Sequence, residues 1–273
     1  MDERKVVEFK ETVWDFYHDH GRHDLPWRLA EADESFDPYK ILVSEIMLQQ
    51  TQVSRVIPKY VQFLGRFPNI SSLAIAPLGD VLTLWNGLGY NRRAKFLLHA
   101  AQKIVQEFGG NFPTNMNELQ RLPGVGMNTA GAVASYAFNQ PLVFIETNIR
   151  TVFIHHFFKD EVDIPDIAIR TLVEQTLDRE HPREWYWALM DYGSFLKQTV
   201  GNLSRASKSY VRQSKFTGSR RQLRGAIIRV LLSKSYTRMA LVSELPDERL
   251  DAVLTELINE GLIHQDGEHF SVA

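Results

Sequence analysis

Along most of the chain, hydrophobic positions recur every three to four residues, the spacing of helices buried on one face. Val6 to His18 is amphipathic. Ser44 to Phe63 carries Ile46, Met47, Val53, Val56, Ile57 and Tyr60 near a 3.6-residue period. The pattern continues through Val81–Leu84, Ala94–Phe108, Met116–Leu122, Thr129–Phe138, Ile149–Phe158, Ile167–Leu177 and Trp185–Lys197. Phe67-Pro68-Asn69, Gly109-Gly110 and Phe112-Pro113 punctuate it. Strand-like alternation is scarce, so the expected core is all-α. Trp185, Tyr186 and Trp187 read as core, and His155-His156, without metal-ligand spacing, as structural.

Residues 198–219 are polar, basic and weakly periodic, a loop and linker. Helical periods then return in Arg220–Ser233, Met239–Leu245 and Pro246–Gly261, followed by a hairpin around Asp266-Gly267. Three helices and a hairpin predict a winged-helix module over 219–273. The third helix of such a module usually reads the major groove. Here it carries Asp247, Glu248, Asp251, Glu256 and Glu260 against Arg249 alone. Groove reading is a poor fit to that charge. The first helix, with Arg220, Arg221, Arg224 and Arg229, is the expected phosphate-facing surface, and a protein partner for the acidic helix 246–261 stays open.

Composition is that of a globular chain: 273 residues, 44% hydrophobic and 23% charged. No apolar run approaches the ~18 residues of a spanning helix, and MDERKVVEFK reads as a charged amphipathic start. The expectation is a soluble, cytoplasmic monomer. There are no cysteines, which excludes disulfides, zinc–thiolate sites, Fe–S clusters and thiol nucleophiles. The net charge of −2 conceals strong polarity. From Tyr192 to Ser243 there are eleven Lys or Arg and no acid, leaving the rest of the chain at −13. Such polarity suggests one face built for a polyanion, with a solvated basic linker as the alternative.

Four stretches can carry chemistry. Leu122-Pro123-Gly124-Val125-Gly126 lies between two helical segments. Its glycines permit close backbone approach, and the following helix N-terminus is a phosphate seat; a plain tight turn is the alternative. Glu45, among Val43, Ile46, Met47 and Leu48, is either a satisfied buried carboxylate or an acid kept protonated by desolvation. Gln49, Gln50 and Gln52 follow it with amide groups suited to base edges. Gly87-Leu88-Gly89-Tyr90 places an aromatic wedge beside Arg92 and Arg93, suited to phosphate, or else a packing tyrosine in a capped turn. In Val143–Arg150, Glu146 follows three apolar residues and precedes a helix, with Arg150 nearby.

Together these stretches resemble the helix–hairpin–helix (HhH-GPD) DNA glycosylases, and most closely the MutY-type adenine DNA glycosylases. LPWR (Leu25–Arg28), DPYKILVSEIMLQQTQV (Asp37–Val53), LWNGLGY (Leu84–Tyr90), LPGVGMNTAGAV (Leu122–Val133), Glu146–Arg150 and MDYG (Met190–Gly193) occur in that family's order and spacing. SEIMLQQTQV is specific to the adenine branch; LPGVG marks only the superfamily.

The resemblance implies a two-domain helical core: a six-helix domain (25–139), and a domain from both chain ends (1–24 and 140–218). It implies removal of mispaired adenine from double-stranded DNA, opposite 8-oxoguanine or guanine, in base excision repair. Glu45 matches the general acid. Glu146 stands where the family has an aspartate that stabilises the oxocarbenium-like sugar, and Arg150 with a helix N-terminus is expected to keep it ionised. Trp27, Arg28 and Asn148 match base-pocket residues; Gln50 and Tyr90 match residues that enter the stack opened by base flipping, and Gln49 is expected among the base-pocket and DNA-binding residues. Leu122, Gly124, Gly126, Arg205, Lys208 and Arg212 are the expected DNA-backbone contacts. No metal ligand set is expected, although a structural monovalent cation at the hairpin is compatible with the resemblance.

The chain departs from the pattern in four ways. Glu146 is one methylene longer than aspartate. Asn128 stands where bifunctional relatives carry a Schiff-base lysine, which implies base removal without a lyase step. The four-cysteine loop is absent, and so is the domain that reads 8-oxoguanine. A thymine or uracil mismatch glycosylase on the same scaffold, or a catalytically weak protein that binds distorted duplex, are the competing expectations.

Overall fold

A computed structural model describes residues 3–213 and 215–273. The described residues form fourteen helices. In chain order these are α1 (Glu3–His20), α2 (Pro38–Leu48), α3 (Val53–Arg66), α4 (Ile70–Ala74), α5 (Leu78–Trp85), α6 (Arg92–Phe108) and α7 (Met116–Gln120). They continue with α8 (Met127–Phe138), α9 (Thr147–Phe157), α10 (Asp166–Thr176), α11 (Pro182–Thr199), α12 (Arg220–Leu231), α13 (Arg238–Glu244) and α14 (Leu250–Asn259). Three short strands are β1 (Tyr236–Thr237), β2 (Ile263–Asp266) and β3 (His269–Val272). None of the described helices is long and apolar enough to cross a membrane.

The expected single helix over Ser44–Phe63 is two helices. Gln50 sits at φ 55°, a left-handed conformation that a right-handed helix cannot contain. The Thr51 N–H turns back to Leu48 O at 3.1 Å, and α3 restarts at Val53. Gln49 and Gln50 therefore lie in a break. The apolar period is unaffected, because Val56, Tyr60 and Phe63 of α3 are all buried.

Two compact units result. The first comprises Met1–Leu42, Thr114–Arg121 and Val125–Arg212; the second comprises Val43–Pro113, Leu122–Gly124 and Gln213–Ala273. In the first, Phe9 of α1 packs against Phe153 and Phe157 of α9 and Trp185 of α11, at centroid separations of 5.1, 5.0 and 6.0 Å. Such aromatic pairs each contribute roughly 0.5–1.5 kcal/mol beyond burial. His156 belongs to this cluster and sits 3.0 Å from the Tyr192 hydroxyl. Burial first, then His155, pushes its pKa down to about 4. It is a packed neutral imidazole, as expected of a structural histidine.

In the second unit α3, α5 and α6 enclose Phe63, Phe67 and Trp85. The chain marks its own boundaries there. Asn69 and Ser72 form a reciprocal capping box at α4, and α6 ends on Gly109 at φ 61°. The C-terminal segment falls in this same unit. Ser219 caps α12 and Thr237 caps α13, while β1, β3 and β2 form an antiparallel sheet in that order. Asp266 pairs with His269, so the hairpin turn is Gly267-Glu268, one residue later than expected. Strand β1 has only two residues and left no alternation to detect.

The acidic third helix of this segment is answered from within. Arg220 pairs with Glu256, Arg224 with Glu256 and Glu260, and Arg238 with Asp251. Arg220 and Arg224 thus face carboxylates, which corrects their assignment to a phosphate-facing surface.

Candidate active site

Glu146 is the residue before α9, at φ −90° and ψ 165°, and its side chain does not cap the helix. Two buried residues, Phe144 and Ile145, precede it. The Asn128 side chain fastens Ile145 by its backbone: Nδ2 donates to Ile145 O at 2.9 Å, and Oδ1 accepts from Ile145 N at 3.4 Å. One residue of α8 therefore fixes where Glu146 begins. Burial pushes the Glu146 carboxyl above its usual range, against the opposing pull of Arg150, the Thr147 N–H and Lys197. Arg150 was expected to favour the anion and it does lower the carboxyl, but burial acts against it and the net direction is upward, because desolvation penalises only the charged form.

The neighbouring cations are themselves held. Arg150 bonds Asp166 at 3.2 and 2.9 Å. Lys197 of α11 donates to Asn148 Oδ1 at 2.9 Å; burial lowers its pKa, partly opposed by Glu146. Helices α9 and α11 meet closely because residue 193 is glycine. A Cβ there would lie 2.2 Å from Asn148 O, where no side chain fits. Asn148 is thus seated by Lys197 on one side and by a missing side chain on the other.

MDYG supplies a second anchor in this unit. Asp191 is 4% exposed. It takes both Arg28 nitrogens at 2.7 and 2.9 Å, together with the Arg22 side chain and backbone N–H. Burial raises the Asp191 carboxyl, but Arg28 and Arg22 together hold it below the usual carboxylate range. Arg28 also lies over the Trp187 ring at 5.3 Å. Its guanidinium holds an aspartate, and Trp27 beside it is buried.

In the second unit Glu45 stands in α2, half-buried, one turn before Gln49. Gln50 and Tyr90 both adopt left-handed backbones, φ 55° and 49°. Such conformations cost a non-glycine residue about 1 kcal/mol or more and need support. Arg93 gives it. Buried at 8% exposure, it donates to Ile46 O, Met47 O and Gln49 O at 2.7, 3.0 and 2.5 Å. It also reaches Thr51 Oγ1, Leu88 O and Gly89 O at 3.0, 3.2 and 3.1 Å. One guanidinium thereby ties the end of α2 to the loop carrying Tyr90. Arg93 was expected at phosphate; it is instead internal, and desolvation lowers its pKa to about 10.

At the hairpin, Gly124 has φ 77° and a Cβ there would meet Phe96 Cβ at 2.7 Å; Leu122 is buried. Gly126 precedes α8 in extended conformation. Arg205, Lys208 and Arg212 are exposed. Their loop is secured in the first unit by Ile164 N–H to Ala206 O at 2.9 Å and Lys208 N–H to Ile164 O at 3.0 Å. Among the described residues, no group of three or more His, Asp or Glu is placed to hold a metal.

Residues 43–176 match the family described as HhH-GPD superfamily base excision DNA repair proteins. That segment belongs to the HhH-GPD superfamily. HhH-GPD relatives include an adenine DNA glycosylase of Buchnera aphidicola subsp. Baizongia pistaciae, 37% identical over 76% of this chain and 60% of that protein. Another, of Mus musculus, is 37% identical over 71% of this chain and 39% of its own length. A third, of Mycolicibacterium smegmatis, is 43% identical over 50% and 45%. The matched part is therefore less than two thirds of each relative. Among solved structures, a thermostable thymine-DNA glycosylase superposes with a TM-score of 0.60 at 26% identity, covering 70% of this chain and 87% of that one. A trapped endonuclease III–DNA covalent intermediate shares the fold, with a TM-score of 0.56, 16% identity, and 73% and 87% coverage. The fold is thus the mainly helical one of HhH-GPD glycosylases.

Sequence reasoning missed Lys197, Asp191 and the internal role of Arg93. MDYG did signal the second of these, since an acid amid apolar helix residues needs a partner. Nothing local signalled the others.

Proposed function

We propose that the protein is a monofunctional DNA glycosylase that hydrolyses the N-glycosidic bond of adenine mispaired with 8-oxoguanine or guanine. The observation that carries this reading is the adenine-branch stretch SEIMLQQTQV, with Glu45 inside it, in a chain 37–43% identical to proteins named adenine DNA glycosylase.

In this reading Glu45 protonates the departing base. The bond between base and anomeric carbon breaks with its electron pair going to the base, water supplies the hydroxyl at the sugar, and the proton that water releases restores Glu45. Glu146, ionised, opposes the positive charge that develops on the sugar. A cationic sugar favours the anion, which offsets the burial that raises this carboxyl in the free protein. Lys197 and Arg150 pull the same way. Asn128, engaged with the Ile145 backbone, offers no amine, in keeping with base removal alone. Arg205, Lys208 and Arg212 hold backbone phosphates, and Gln50 and Tyr90 enter the stack.

The test is a panel of duplexes bearing A·8-oxoG, A·G, T·G or U·G, with abasic sites cleaved by alkali. Strand breaks with the adenine duplexes, and only after alkali, are expected. Breaks confined to T·G or U·G would favour the second reading, which the 26% likeness to a thymine-DNA glycosylase motivates. No product with any duplex, despite tight binding, would leave a distortion-binding protein.

A further inference from the structure

The second unit contains a groove of about 1050 Å³ whose charge the proposed chemistry does not use. One wall is the loop carrying Tyr90 with Gln49, Gln50 and Arg55; the other is α12 with the segment before it. Six arginines line the groove against a single acid, Glu260. Arg93 is turned inward to carbonyls and Arg224 to Glu256 and Glu260. Arg55, Arg92, Arg221 and Arg229 are the other four, two from each wall, with Arg55, Arg92 and Arg229 exposed and Arg92 within ion-pair reach of Glu260.

Helix α6, which follows the Tyr90 loop, is tied to the C-terminal segment. Lys95 donates to Glu260 O at 2.6 Å and Gly261 O at 3.0 Å, satisfying carbonyls that the end of α14 leaves open. Arg92 approaches Glu260 at 3.8 Å. Across the groove, Arg221 lies over the Tyr90 ring at 5.4 Å and the Phe216 ring at 6.0 Å, and donates to the Tyr90 hydroxyl. Gln213 bridges the same hydroxyl to Gln50 Oε1. Cations alternating with aromatic faces are the components of a single-strand nucleic-acid site, where arginines follow the backbone and rings accept bases.

We propose that the C-terminal segment and the Tyr90 loop together form a DNA-strand groove, with backbone on Arg55, Arg92, Arg221 and Arg229 and an unstacked base against Tyr90 and Phe216. This rests on DNA being the substrate of the proposed reaction. It assigns to the C-terminal segment a share of DNA binding made through its first helix rather than its acidic third. Strand entry replaces the Gln213 and Arg221 contacts to Tyr90 with contacts to the nucleotide.

The experiment measures affinity of the full chain for an A·8-oxoG duplex across a potassium chloride series. Two variants are compared, Arg221→Ala with Arg229→Ala, and Arg55→Ala with Arg92→Ala. Each is predicted to reduce the slope of log K against log salt by about 2, since each removes two phosphate contacts, with melting temperature unchanged. A wild-type slope in the α12 variant overturns the proposal, whatever the opposite wall does. So does displacement of duplex by polyglutamate as effectively as by single-stranded DNA, which would assign the groove to an acidic protein segment. Binding is the readout, so the two readings fail separately. Adenine release with wild-type slopes sinks the groove alone, and reduced slopes without base release sink only the glycosylase reading.

Discussion

Glu146 and Gln50–Tyr90 are held by opposite means. Around Glu146 the framework is electrostatic: the residue is half-buried, and Arg150 and Lys197 pull against the burial that raises its carboxyl. Around Gln50 and Tyr90 it is geometric. Two left-handed backbones are held by one buried guanidinium that meets six neutral oxygens and no carboxylate. In the proposed reaction Glu146 meets a positive charge that appears only on the sugar, and opposed influences leave its ionisation responsive to that charge. The proposed entry of Gln50 and Tyr90 into the base stack calls instead for rigidity.

The comparison breaks most visibly at Arg93. Arg93→Met leaves several buried carbonyls without a donor, at about 1–3 kcal/mol each where water cannot replace it. We expect a destabilisation of about 3 kcal/mol or more by denaturant unfolding. Adenine release from a duplex should then fall more than release from single-stranded DNA, where no stack has to be opened. Equal losses on both substrates would show that Arg93 holds only the fold.

Next is Gly193→Ala. Its methyl would have to displace Asn148 O from 2.2 Å, and overpacking of this kind costs about 1–3 kcal/mol. Thermal melts should show that loss; an unchanged melting temperature would mean that α9 and α11 separate freely.

A third change sharpens the electrostatic side. Lys197 lowers the Glu146 pKa, so Lys197→Met should move the ascending limb of the pH–rate profile to higher pH. The wild-type limb should itself lie above the ordinary carboxylate range, because burial raises Glu146. A limb that stays in place would show that Lys197 serves only Asn148.

The smallest effect is expected at His156, remote from both regions. Its folded pKa, about 4, lies below the ordinary 6.5. The unfolded chain therefore binds the extra proton between those values, and stability is lost as pH falls through that window. His156→Phe should flatten the melting-temperature dependence between pH 6.5 and 4; an unaltered dependence would place the titration elsewhere.

How much of this was legible in the sequence follows from the range of each interaction. Helices came through because burial on one face is written every three to four residues, as in Val56, Tyr60 and Phe63. The break at Gln50 did not: its left-handed turn is supported by Arg93, more than 40 positions away. The inward turn of Arg93 was hidden for the same reason, since LGYNRR reads equally well as a phosphate-binding run. Asp191 and Arg28, 163 positions apart, could be recognised only as separate motifs. The raised pKa of Glu146 was illegible because it depends on enclosure, whereas Arg150, one helical turn away, was visible and suggested the opposite sign.

In the proposed reaction base release divides between an acid in α2 and a carboxylate before α9. The most direct test of that division is the single-turnover rate of adenine release from an A·8-oxoG duplex by wild type, Glu45→Gln and Glu146→Gln, with binding measured in parallel. Both variants should bind duplex about as well as wild type, while release falls on the order of 10²-fold or more in each. A wild-type rate in either variant would contradict the division of labour.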